Sequence, residues 1–334
     1  MERDRIYNMD CLDGLSRMGS GSVDLILTSP PYDHLRKYGR ESCDWNFDVF
    51  RPIAKELSRV LGEGRVLVWN VGDSVVDGGE TGSSFRQALY FMDECGLKLH
   101  DTMIYEKNSS TFPARRDSKR YTQIFEYMFV FVKGDIRKDI RLIADKKNKW
   151  VGHINWGTQT RYDDDGVLKK IGDIKPIPEY SLRTNIWKYS VSFNDKTGHP
   201  AVFPEKLAED NILSWTVEGD LVLDPFMGSG TTAKMAMMNG RHYIGFERNA
   251  EYYGKSLERV GRYAGKVRDR MDEVFLRGEE LQTDDGDERE ERRKTELWNR
   301  LIDELNGYFN TQSYGTLKDI RVTFGKKSNK VIDK

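Results

Sequence analysis

At 334 residues, with 38% hydrophobic and 11% aromatic residues, the chain can bury one large core or two domains, and no apolar run approaches the roughly 18 residues that would cross a membrane. The net charge of −1 conceals an asymmetry: residues 107–149 carry 12 Lys/Arg against 5 Asp/Glu, and residues 271–305 carry 6 against 13, so only the middle suits a polyanion. Cys11, Cys43 and Cys95 and the five histidines are scattered, which excludes a disulfide framework and gives no metal-ligand spacing.

The charged segment Met1–Arg5 leads into a strand-like stretch rather than an apolar signal sequence, so a cytoplasmic protein is expected. Residues 5–11 read as a strand ending in an acidic turn, and 12–18 as a short helix. Asp10, at the strand end, suits an N-cap or a ligand contact. Residues 23–27 form an apolar strand that runs into Thr28-Ser29-Pro30-Pro31-Tyr32. Two prolines cannot continue a strand in a sheet interior, because neither donates a ladder hydrogen bond. The chain leaves the sheet there in a stiff turn that presents a small hydroxyl, a backbone carbonyl and a flat ring. That combination suits holding a planar amine.

Val49, Ile53, Leu57, Val60 and Leu61 recur at helical spacing, and Gly62 and Gly64 are expected to end that helix. Residues 65–71 read as a strand followed by a turn containing Asp73. Ser83 and Ser84 are expected to cap a helix through Phe91. Residues 98–106 and 124–133 read as two more strands. The loop between them carries Arg115, Arg116, Lys119 and Arg120, all suited to phosphates. Residues 135–185 lack periodicity and mix basic runs with aromatics, including Trp150 and Trp156, which are expected to anchor a small local core. Alternating strands and helices imply an α/β sandwich with a mainly parallel sheet.

Order resumes with a strand near 185–189. A stiff loop at 197–207, containing Phe203 and Pro204, leads to a helix through Ile212 and Leu213. Asp220–Thr232 is then a buried strand, a turn through Pro225, Phe226, Gly228, Ser229 and Gly230, and a helix start at Thr231. The next strand, at 243–247, ends in Glu247, 19 residues after Gly228, where a carboxylate can take ribose hydroxyls. A P-loop would need Gly-Lys-Ser/Thr, and a dinucleotide fingerprint a third glycine; neither is present. A nucleoside with a shorter charged arm, S-adenosylmethionine, fits. Asp224 would then lie near its amino-acid end.

Together these pieces resemble the β-class (permuted) DNA amino-methyltransferases, the N4-cytosine/N6-adenine DNA methylase family. The match lies in Asp10-Cys11-Leu12, Thr28–Tyr32, the His-Pro-Ala-Val-Phe-Pro loop at 199–204, Asp224–Thr232 and Glu247. It implies a Rossmann-like S-adenosylmethionine-dependent methyltransferase sheet of seven strands with helices on both faces. It also implies a division into a catalytic half at 1–134, a target-recognition region at 135–185, a cofactor half at 186–260 and a charged, mostly helical extension at 261–334. Ser29, Pro30, Pro31 and Tyr32 would be catalytic. Asp10, Phe203, Pro204, Asp224, Phe226, Gly228, Ser229, Gly230, Thr231 and Glu247 would hold the cofactor. Arg115, Arg116, Lys119 and Arg120 would contact DNA, and no metal is expected.

The expected reaction moves a methyl group to the exocyclic amine of a base flipped out of double-stranded DNA. The Ser-Pro-Pro-Tyr form points to cytosine N4, with adenine N6 as the alternative. RNA methylation, protein-amine methylation and a non-catalytic binder are more remote. A cognate restriction endonuclease, and the choice between monomer and homodimer, stay open.

Overall fold

The apolar runs that alternate with amphipathic helices set the layers. In the computed structural model, which describes residues 1–31, 45–108, 119–154, 160–170, 176–189 and 204–262, eight of the runs join one sheet. Its strands are β1 (Arg5–Tyr7), β2 (Val23–Thr28), β3 (Leu61–Val71), β4 (Lys98–Lys107), β5 (Phe125–Val132), β6 (Ile186–Tyr189), β7 (Leu221–Asp224) and β8 (His242–Phe246). Their order across the sheet is β1-β8-β7-β2-β3-β5-β4-β6. Only β5 runs antiparallel to its neighbours. The sheet therefore has the expected mainly parallel character, with eight strands where seven are expected.

Side chains alternate between the two faces, and each face buries its own core. Leu25, Leu27, Val66, Val68 and Val130 face α4 (Glu205–Trp215) and α5 (Thr231–Met238), meeting Leu207, Ile212 and Ala233. Ile26, Leu67, Trp69 and Phe131 face α1 (Cys11–Ser16), α2 (Phe47–Val60) and α3 (Ser83–Asp93), meeting Leu15, Phe50, Leu57 and Phe91. The strands are continuous apolar runs because both of their faces are dry. A sixth helix, α6, occupies residues 250–262.

Chain order and sheet order part company at β2. From β2 the chain proceeds to β3 on one side, while the late strands β7 and β8 lie on the other. The carboxyl ends of β2 and β7 thus meet at a topological switch point, where open α/β sheets place their ligands.

Several local expectations change. Gly62 and Gly64 do not end α2; Leu61 turns directly to extended backbone, with φ −66° and ψ 131°, and already belongs to β3. Gly64 has φ +72°, and a Cβ there would lie 3.0 Å from the Asp135 carbonyl, so it serves an irregular strand entry instead. α2 starts earlier than its apolar spacing suggests, because Asn46 Oδ1 accepts hydrogen bonds from the N–H groups of Asp48 and Val49. Ser83 and Ser84 lie inside α3, whose N-cap is Gly82. The buried Asp73 accepts from the Ser84 backbone N–H at 3.0 Å and from its hydroxyl, so a residue ten positions upstream caps α3.

Candidate active site

At the switch point Thr28 Oγ1 donates to Asp224 Oδ1 at 2.6 Å, joining residues 196 positions apart. Asp224 Oδ1 also accepts from Phe226 N at 3.0 Å, and Oδ2 accepts from Thr232 Oγ1 at 2.7 Å. This carboxylate ties β2, the glycine turn and α5 together. Burial pushes its carboxyl up to about 6, although all three donors favour the charged form. The sequence places Asp224 against the amino-acid end of a cofactor; in the fold, both of its oxygens are engaged within the chain.

Glu247 closes the other side. Its Oε2 accepts from Gly228 N at 2.7 Å and its Oε1 from Asn249 N at 2.8 Å. Burial pushes its carboxyl up to about 7 against those two backbone bonds. A carboxylate offers about four acceptor directions, so two remain for ligand hydroxyls. Gly228 has φ +54°, which lets its N–H turn toward Glu247. Gly230 has φ +84°, and a Cβ there would stand 3.0–3.2 Å from Ser256 on α6. Close helix packing demands that glycine. Arg259, also on α6, donates to Ser229 Oγ at 2.9 Å and to Glu205 Oε1 at 2.7 Å.

These elements surround a cavity of about 220 Å³. Asp10, Ser29, Pro30, Pro31, Asp224, Phe226, Gly228, Ser229, Thr231 and Glu247 line it. Residues separated by more than two hundred positions are thereby gathered at one sheet edge. Asp10 also caps α1, its Oδ1 accepting from Leu12 N at 2.8 Å. Pro204 is the N-cap of α4 and, like Gly230, does not line the cavity. Tyr32, Phe203, Arg115 and Arg116 lie outside the described residues, as do Trp156 and residues 263–334.

Lys119 and Arg120 are exposed. Arg120 donates to the Gly78 carbonyl and stands 3.7 Å from Glu80, at the turn of a short hairpin formed by Val75–Val76 and Gly79–Glu80. Trp150 is 66% exposed with its ring edge-on to His153. It is therefore a surface ring, not the anchor of a local core. Among the contributors to the cavity that sequence reasoning missed are Trp45, Val49, Ile53 and Tyr252. Val49 and Ile53 are legible only as helix-spaced core residues. Trp45 packs edge-on against Phe226 with ring centroids 5.3 Å apart, a contact that no local pattern announces.

Among the described residues no helix is long and apolar enough to cross a membrane, and no group of His, Cys, Asp and Glu could hold a metal ion.

The fold and this site define a nucleoside-binding α/β enzyme, and comparison with known proteins gives its class. Residues 23–258 match the DNA methylase family model. An orphan methyltransferase of Bacillus amyloliquefaciens, M.BamHII, is 51% identical over 261 residues, covering 74% of this chain and 91% of that protein. The DNA adenine methyltransferase YhdJ of Escherichia coli K12 is 26% identical over 273 residues, covering 78% and 83%. The solved PvuII DNA methyltransferase (cytosine-N4-specific) shares the fold at 22% identity, with a TM-score of 0.57 over 77% of this chain and 86% of that one. The chain belongs to the N6-adenine/N4-cytosine DNA methylase family and is an S-adenosylmethionine-dependent, amino-methylating DNA methyltransferase.

Proposed function

We propose that the chain methylates N4 of a cytosine flipped out of double-stranded DNA. The observation that carries this reading is Ser29, a neutral hydroxyl in the cavity wall one residue past the Thr28–Asp224 link. An exocyclic amine is a poor nucleophile because its lone pair is delocalised into the ring. Ser29 Oγ and the Pro30 carbonyl accept its two N–H bonds and favour a more tetrahedral nitrogen. Pro30 and Pro31 stiffen this shelf, so little ordering is left for the moment of reaction. Tyr32 stacks on the flipped base.

The residues present fit the cofactor. Glu247 receives ribose hydroxyls on its two remaining acceptor directions. Asp10 and the apolar walls from Val49, Ile53 and Phe226 hold the adenine. The Gly228–Thr231 turn faces the charged arm, while Asp224 holds that turn and the strand end before Ser29. S-adenosylmethionine supplies the methyl group as an activated sulfonium.

Residues 135–185 act as the target-recognition region. Its described parts carry exposed rings, Trp150 and Tyr162, beside Lys146, Lys147 and Lys149. Arg115, Arg116, Lys119 and Arg120 add phosphate contacts, which set affinity and register rather than sequence choice.

Incubation with labelled S-adenosylmethionine and unmethylated DNA, followed by nucleoside mass spectrometry, tests the base. N4-methylcytosine is expected. N6-methyladenine, the product that the likeness to YhdJ would suggest, overturns the base assignment and leaves the class intact. Transfer to RNA alone overturns the DNA reading.

A further inference from the structure

Arg259 on α6 takes no part in the reaction described above, yet it reaches the glycine turn. Its side chain is 13% exposed. It lies about one helical turn beyond Ser256, the residue packed against Gly230, so the close approach of α6 carries it to that turn as well. Its Nη1 donates to Ser229 Oγ at 2.9 Å and its Nη2 to Glu205 Oε1 at 2.7 Å. Lys234 Nζ, on α5, donates to the same Glu205 oxygen at 2.7 Å. Two cations thus share one carboxylate, and this trio keeps one positive charge in excess.

A guanidinium donates hydrogen bonds and accepts none. Ser229 Oγ must therefore accept from Arg259, and the hydroxyl's own hydrogen remains to donate. Among the described residues no acceptor takes it. Ser229 is 4% exposed and lines the cavity, so that hydrogen is offered to a ligand. The bond from a cation also polarises the hydroxyl and makes it a better donor. The amino-acid arm of S-adenosylmethionine ends in an ammonium, which only donates, and a carboxylate, which only accepts. The carboxylate alone complements a donating hydroxyl backed by positive charge.

We propose that Arg259 is a positioning residue that fixes Ser229 as a donor to the carboxylate of the cofactor's amino-acid arm. The proposal rests on the reading given above, in which the Gly228–Thr231 turn faces that arm, and deepens it. Glu205 holds the far side of the guanidinium fork, so the bond to Ser229 keeps a fixed direction. Lys234 stays on Glu205 when Arg259 is replaced, so no carboxylate is stranded.

The test is calorimetry on the full chain with three ligands. They are S-adenosylmethionine, its decarboxylated analogue, which keeps the ammonium, and methylthioadenosine, which lacks the whole arm. Arg259→Met keeps the apolar stem and removes the fork. Its affinity for S-adenosylmethionine is expected to fall about tenfold, while the other two ligands stay within about threefold of the parent. Ser229→Ala is expected to show the same pattern. The double variant should lose little more than either single one, because the two groups act through one bond.

Equal weakening of all three ligands in Arg259→Met assigns the residue to the packing of α6 and overturns the proposal. So do unchanged affinity for S-adenosylmethionine, losses that add in the double variant, and a parent that binds the decarboxylated analogue as tightly as the cofactor. Should Arg259→Met fail to fold, Arg259→Gln is measured with the same ligands; failure of both to fold assigns Arg259 to the fold and overturns its positioning role. A parent that prefers S-adenosylmethionine to methylthioadenosine, with that preference intact in Arg259→Met, loses only this inference. A parent that binds methylthioadenosine as tightly as S-adenosylmethionine removes the underlying reading of the turn.

Discussion

In the glycine turn at 224–232, polar groups are held from inside the chain. Asp224 gathers Thr28, Phe226 and Thr232, while Glu247 takes the N–H groups of Gly228 and Asn249. In residues 135–185 the supports are different. Paired strands of two or three residues stand there, Lys146–Lys147 with Tyr180–Ser181 and Thr160–Tyr162 with Leu168–Lys170. One side-chain clamp joins this region to α4: Arg183 donates to Asp210 Oδ2 at 2.6 Å and to Tyr189 OH at 3.0 Å, and pairs with Asp145. The first region is built so that a small ligand meets finished geometry. The second exposes its rings and lysines. Preorganisation is concentrated where about an ångström matters for transfer.

The largest expected effect comes from breaking the turn. Asp224→Ala leaves two buried hydroxyls and a backbone N–H without their shared acceptor, a loss of about 3 kcal/mol. Thermal denaturation should show a lowered midpoint, and calorimetry a loss of cofactor binding. An unchanged midpoint would place the turn's order elsewhere.

Next is Ser29→Ala, expected to lower kcat by about a hundredfold while cofactor affinity holds. Single-turnover methyl transfer separates the two. A fall in affinity without a fall in turnover would remove Ser29 from the chemistry.

pH then sharpens the comparison, because burial raises carboxyls at the turn, whereas Asp139 and Asp145 in the second region are held low by Arg137 and Arg183. Glu247 is raised from the ordinary value to about 7 and Asp224 to about 6, both chiefly by burial. The folded state keeps these protons at pH values where the unfolded chain has released them. Stability of the ligand-free protein should therefore fall as pH rises through this window, up to about 7. The ionised Glu247 accepts hydroxyls best. Cofactor affinity should thus weaken below about pH 7, by up to about tenfold per unit, and Glu247→Gln should flatten that profile. Calorimetry across pH checks both.

Arg183→Ala tests the second region. Removing the clamp strips the buried Asp210 of one cationic partner, Lys206 remaining at 2.8 Å. A loss of about 1–2 kcal/mol is expected, with DNA affinity reduced and cofactor affinity kept. The smallest effect belongs to Lys119→Ala and Arg120→Ala. Each should weaken DNA binding evenly across sequences and lower the salt slope by about one. Titration at several salt concentrations would show it.

Much of the site was legible because its residues carry local signatures. Pro30-Pro31 after an apolar run, Gly228 and Gly230 between a strand and a helix, and Glu247 at the next strand end each leave a mark within a few residues. What lacked such marks was found only in the fold. Trp45 and Tyr252 join the cavity wall through distant contacts, Asp73 caps a helix from outside it, and Gly62 and Gly64 lie inside a strand rather than after a helix. Trp150 reads as core by residue type, yet it is exposed among the described residues.

The sequence alone determined the α/β class, the order of the strands along the chain and the two motifs that the fold brings together. Those follow from periodicities of two and 3.6 and from the fixed backbone habits of proline and glycine, which act over a few residues. Only the tertiary structure decided that Thr28 and Asp224 touch and that Gly230 answers to α6. These depend on which strand lies next to which. Sheet order is set by the burial of both faces together, and no short stretch of sequence carries that information.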